Sequence, residues 1–127
     1  MGVISKDNRQ IKLYYNSEAS LGKQTLSYIK ASEKKVLAID ISKTNVTGTQ
    51  WVEIVDNLNI PISELVNQEH PDFVKVYGDK KVDLNENDWL KIVEKHPTVI
   101  SNPIVIYGNK FIKIETPSDF TKCLDQE

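Results

Sequence analysis

The sequence predicts an α/β fold, a mixed sheet flanked by helices, in the order β-α-β, helical segment, β-β-α. Three observations carry this. Two β-prone runs near the start enclose a stretch of helical period. The middle of the chain is apolar at helical spacing. The last third returns to strand period around a glycine-containing turn.

Gln10 to Tyr15 (QIKLYY) reads as a strand, with Ile11, Leu13 and Tyr15 on one face. Asn16, Ser17 and Glu18 follow as a turn with helix-capping chemistry. Ser20 to Glu33 is then helical, with Gly22, Leu26 and Ile29 on one stripe. Gly22 lets this helix approach a sheet closely. Lys35 to Ile41 (KVLAIDI) is almost continuously apolar, which predicts a strand covered on both faces. The crossover between these strands should be right-handed.

Thr47 to Gln50 has the capping-box pattern. Trp51, Ile54, Val55 and Leu58 continue at i, i+3, i+4 and i+7, an amphipathic helix with Glu53 on its exposed side. Ser63 to Gln68 reads as a shorter helix. Asn85 opens another, with Trp89, Ile92 and Val93 inward, and His96-Pro97 ends it. Pro103 to Tyr107 and Lys110 to Ile114 are strands joined at Gly108-Asn109. Thr116-Pro117-Ser118-Asp119 starts a closing helix, with proline in the first helical position.

With 127 residues, 39% of them hydrophobic, the chain predicts one domain, 1–127, with one core. Residues 1–9 read as a flexible lead-in without an apolar signal stretch, and about 44–98 as a helical insertion. Gly2 is not followed by the serine or threonine of a myristoylation motif, because Lys6 stands there. These readings predict a cytoplasmic protein. The net charge of −2, from 16 basic and 18 acidic residues, argues against a phosphate-tracking nucleic-acid binder. No apolar run reaches the length of a transmembrane helix. Arg9 is the one arginine, so bidentate oxyanion clamps are scarce. Cys123 is the one cysteine, which leaves neither an internal disulfide nor a cysteine-based zinc site.

Asn16, Ser17, Ser20 and Lys23 stand at a predicted helix N-terminus and are candidate site residues; the family resemblance given below adds Ala19, Asn102 and Pro103 to this groove. Amides at a helix N-terminus attract anions, and Lys23 adds a mobile cation. The plainer reading is that Asn16, Ser17 and Ser20 cap the helix while Glu18 satisfies its dipole. Cys123 shares a predicted helix with Phe120 and Leu124 and reads as a packed thiol; of bases, only Lys122 is beside it. Ser17 to Gln24 misses two of the four anchors of a phosphate loop. His70 and His96 each precede a proline and lack a third ligand at metal spacing. Asp79, Asp83, Glu86 and Asp88 read as a solvated face. No metal or cofactor is expected.

Asn85 to Lys110 reads NENDWLKIVEKHPTVISNPIVIYGNK, in which Pro97, Val99, Ile100, Pro103, Ile104 and Val105 fit a family pattern. With Leu13 to Leu26, the Trp51 helix, Glu64 to Lys75 and Ile114 to Pro117, the chain resembles, over roughly residues 10–124, the thioredoxin-fold arsenate reductases of the ArsC type and the related Spx-type redox regulators. The resemblance implies a thioredoxin-like fold, broadly glutaredoxin-like. It also implies a nucleophilic cysteine between the first strand and first helix, where this chain has Ala19. It implies oxyanion-holding arginines where this chain has Asn102, Asn67, and Thr49 or Gln50. A methyl group cannot attack arsenic or a disulfide as a thiolate does. The expectation is a pseudoenzyme of this family, a redox-inactive binding or regulatory module with a protein partner. The rival expectation is a thiol-dependent, arsenate reductase-like or glutaredoxin-like enzyme that borrows glutathione or a partner's cysteine. Glutathione or a small anion is the weaker ligand expectation; nucleic acid and membrane are not expected. Finally, the resemblance implies that the Asn102–Pro103 bond is cis and that Asn102 lies beside Ala19; the alternative is a trans bond with Pro103 starting an edge strand.

Overall fold

The computed structural model describes residues 11–32, 35–78, 84–108 and 110–121. The readings at the lead-in 1–9, Asp79, Asp83, Asn109, Lys122, Cys123 and Leu124 lie outside these residues.

The elements are β1 (Ile11–Tyr15), α1 (Ser20–Ala31), β2 (Val36–Asp40), α2 (Gly48–Leu58), α3 (Pro71–Tyr77), α4 (Glu86–Lys95), β3 (Ile104–Tyr107) and β4 (Lys110–Lys113). Short 3₁₀ turns occupy Ile62–Leu65, Pro97–Val99 and Pro117–Phe120. The four strands form one sheet in the order β2-β1-β3-β4. β1 and β2 are parallel, and the β1–β3 and β3–β4 pairs are antiparallel. This is the thioredoxin-like arrangement, with α2, α3 and α4 between its β-α-β and β-β-α halves.

Strand alternation sorts the apolar residues onto two faces. Ile11, Leu13 and Val105 pack with Ile29 of α1 and with Ile114 and Phe120. Tyr14, Ile104 and Ile106 pack on the opposite face with Trp51, Ile54, Phe73, Trp89 and Val93 of the inserted helices. Both faces of β1 are therefore covered, and even Lys12 is only 8% exposed.

The capping box predicted for α2 is present. Thr47 Oγ1 accepts from Gln50 N–H, and Gln50 Oε1 accepts from Thr47 N–H. α4 starts at Asn85, whose side chain accepts from Asp88 N–H, and ends at His96 before Pro97, as read from the sequence. At the β3–β4 turn Gly108 takes φ 62°, the left-handed region that favours glycine.

Three expectations need correction. β2 is an edge strand, not one covered on both faces: Leu37 is 43% exposed and Ala38 is exposed. An apolar run records β propensity, and which neighbours reach it is decided elsewhere in the chain. Ser63 to Gln68 is not an α-helix; a 3₁₀ turn ends at Leu65, and Val66 bridges to Ile100. Glu53 is half-buried rather than exposed, and its charge reaches the Tyr14 hydroxyl, whose pKa is raised by burial and then by this carboxylate.

Candidate functional site

The site lies where β1 hands the chain to α1. Asn16 is 1% exposed and organises the loop in both directions. Its Oδ1 accepts from Glu18 N–H at 2.9 Å, and its backbone carbonyl accepts from Ala19 N–H at 3.0 Å. Its Nδ2 donates to the carbonyls of Thr98 (3.0 Å) and Ile100 (3.3 Å), fastening the loop to the segment ahead of β3. Gly22 completes the seat. A Cβ there would stand 2.3 Å from the Asn16 carbonyl oxygen, so no larger side chain fits without moving backbone.

Ala19 is the N-cap of α1, in extended backbone at φ −101° and ψ 137°, and its methyl group offers no capping bond. Lys23 N–H donates to the Ala19 carbonyl as the first helical bond. The N–H groups of Ser20, Leu21 and Gly22, which precede the first possible intrahelical acceptor, have no bonded partner among the described residues. The expected caps are therefore absent. Asn16 caps a turn outside the helix, Ser20 is the exposed first helical residue, and the first turn holds no acid.

Asp40, at the end of β2, also holds the candidate loop and is absent from the residues expected there. Its Oδ1 accepts from Ser17 N–H (3.2 Å), Ser42 N–H (3.1 Å) and Ser42 Oγ (2.7 Å). Ser17 Oγ lies 3.2 Å from Ser42 Oγ and closes the cluster. Burial would raise the Asp40 pKa, but the bonds from Ser17 and Ser42 outweigh it and hold the carboxyl below its ordinary value. The one sequence signal was a carboxylate ending an apolar strand, two residues before a serine. A lowered folded pKa contributes stability that is complete above the unfolded value, about 3.9, and is lost as pH falls through the folded value. Asp40→Asn should thus destabilise the protein at pH 7, by under about 1 kcal/mol because solvent screens so open a group. Urea unfolding at pH 7 and at pH 3 checks this: the difference from the parent protein should shrink at the lower pH.

The Asn102–Pro103 peptide bond is trans, against the expectation of cis. The reason lies in the sheet. The Pro103 carbonyl accepts from Ile114 N–H at 2.8 Å and Asn102 Nδ2 donates to the Ile114 carbonyl at 2.8 Å. These bonds extend the β3–β4 ladder past Ile104 in a straight run, and the trans form is the intrinsic preference. Asn102 is accordingly turned toward the end of β4. The contact between the loop and the pre-β3 segment exists, but Asn16 makes it.

The same segment ties α3 in. Thr98 Oγ1 donates to Asp72 Oδ2, and this bond is the leading cause that holds the Asp72 carboxyl below its ordinary pKa. His70 is the N-cap of α3, its Nδ1 accepting from Asp72 N–H at 3.0 Å. His96 is the C-cap of α4. Asn67 closes its own turn, accepting from Glu69 N–H. Among the described residues, no three His, Cys, Asp or Glu side chains gather as a metal site, and no helix is long and apolar enough to cross a membrane.

The structure thus brings together Asn16, Ser17, Ala19 and Ser20. Lys23 is exposed one turn further on, beside a shallow depression of about 540 Å3 shared with Gln24, Ser27, Tyr28 and Pro117. What the loop offers chemically is a row of first-turn amides without a bonded partner among the described residues, one cation nearby, and no thiol.

No protein-family model matches the sequence, and no curated protein matches it either. Solved structures do match. An arsenate reductase from Vibrio cholerae superposes with a TM-score of 0.78 at 14% identity, over 91% of this chain and 98% of that one. An arsenate reductase (ArsC) related protein from Brucella melitensis superposes with a TM-score of 0.68 at 12% identity, over 94% and 98%. This chain therefore shares the fold of these structures, thioredoxin-like, here with α2, α3 and α4 between its two halves.

Proposed function

We propose that this protein is a redox-inactive relative of the arsenate reductases, a pseudoenzyme that works in the cytoplasm as a binding or regulatory module for a protein partner. The observation that carries this reading is Ala19 at the α1 N-cap, the place where the sequence resemblance sets the nucleophile. Around it stand the buried Asn16, the tight Gly22 contact and first-turn amides that lack a bonded partner among the described residues. Asn102, standing where the resemblance implies an arginine, is committed to the Ile114 carbonyl.

The rival is a thiol-dependent reductase that draws on glutathione or a partner's cysteine. The purified chain should turn over neither arsenate nor a disulfide substrate above background with glutathione or dithiothreitol as donor. A Cys123→Ser variant should behave identically. Turnover that saturates with substrate would establish the enzyme reading instead.

A further inference from the structure

We propose that the cleft between α3 and α4 is a docking site for an acidic segment of a partner protein, with an apolar side chain seated against Val76 and Tyr77 and carboxylates directed at Lys91 and Lys95. The proposal extends the binding-module reading and rests on it for the expectation of a partner; the chemistry of the cleft is read from α3 and α4 alone.

The cleft holds about 250 Å3. That is below the range of drug-sized sites, roughly 300–1,000 Å3, and suits one or two side chains of a peptide. Val76 is 52% exposed on one wall, and Ile92, 6% exposed, lies at its base. Val76 and the Tyr77 ring give the cleft an apolar wall over Ile92, against which one apolar side chain of a peptide can pack.

The charge around it is sorted. α4 carries four ionisable side chains from Asp88 to Lys95, and Glu86 at its start. Glu86 turns to the Ile62 N–H (3.4 Å), and Glu94 turns to the Gly48 N–H at the start of α2 (3.1 Å). Those two carboxylates serve neighbouring elements. Lys91 and Lys95, one turn apart, line the cleft with His96, against a single acid, Asp88, among the described residues. Neither lysine has an ion-pair partner among the described residues. In a chain of net charge −2, a pair of lysines without an ion-pair partner among the described residues, beside the apolar Ile92 and Val76, complements an acidic, apolar-anchored peptide. Nucleic acid fits less well. Among the described residues the cleft has no arginine and its two lysines make no track for a phosphate backbone, and the Tyr77 ring is already set against Phe73 with centroids 5.0 Å apart.

The test is an NMR titration of the isotopically labelled full chain with a short peptide of two leucines among glutamates. The expected result is saturable shifts confined to residues of α3 and α4. Lys91→Glu combined with Lys95→Glu should weaken binding by about tenfold or more. Val76→Ala, or a peptide with alanines for leucines, should also weaken it. If the double charge reversal disturbs folding, Lys91→Gln with Lys95→Gln should act in the same direction. Undiminished binding by folded charge variants would overturn the proposal, as would shifts scattered over surface lysines, or a single-stranded oligonucleotide outcompeting the peptide. These readouts are independent of turnover, so a positive thiol assay would sink the redox-inactive reading and leave this one standing.

Discussion

Trp51→Ala should lower the unfolding free energy by about 3–5 kcal/mol, the usual range for deleting a buried aromatic side chain. That is a large share of a typical total of about 5–15 kcal/mol. Trp51 is fully buried in the cluster that joins the sheet to the inserted helices, with its ring 6.5 Å from that of Tyr14. One feature separates packing from polarity. The Trp51 indole N–H is buried without a hydrogen-bond partner among the described residues. Trp51→Phe keeps most of the apolar volume and removes that unpaired donor, so it should cost clearly less than the alanine variant. Exposed Asp56 on the same helix is the control, and Asp56→Ala should change stability by about 0.5 kcal/mol or less. Equal midpoints for Trp51→Ala and Asp56→Ala in urea would contradict the packing described for α2.

Asn16→Ala should be the most damaging change in the loop, at about 2–4 kcal/mol. It strands the Thr98 and Ile100 carbonyls and the Glu18 N–H together, and a buried group left unmet costs roughly 1–3 kcal/mol. Asn16→Asp discriminates the cause. An ionised carboxylate still accepts from Glu18 N–H but faces two carbonyl oxygens with nothing to donate. It should destabilise at pH 7 and recover in part once protonated, below about pH 4. Denaturation across that range reads this out. A pH-independent deficit would mean the amide's donor role is not what matters.

Much of the fold was legible from period and caps. β1, α1, α2, α4 and the β3–β4 hairpin carry local signals that agree with their tertiary places, and Gly22 marked the close approach that it makes to Asn16. α3 was missed because its cap is His70, a residue without strong capping preference; Pro71 at the first helical position was the available clue. The edge position of β2 and the trans Pro103 depend on pairing partners far along the chain, which local sequence does not encode. The site was half legible. A turn before a helix was readable, but the burial of Asn16 and the gathering of Ser17 and Ser42 on Asp40 bring together residues separated by 82 and 23 positions.

On the function proposed above, a thiol placed at Ala19 would meet first-turn amides of α1 that stabilise a thiolate. Placing Ala19→Cys in a Cys123→Ser background leaves a single thiol at the α1 N-cap, within reach of the unbonded amides of the first turn. Its thiolate absorbance should titrate below the free-cysteine value of about 8.5, since helix N-terminal amides stabilise the anion. A titration at or above that value would contradict the claim.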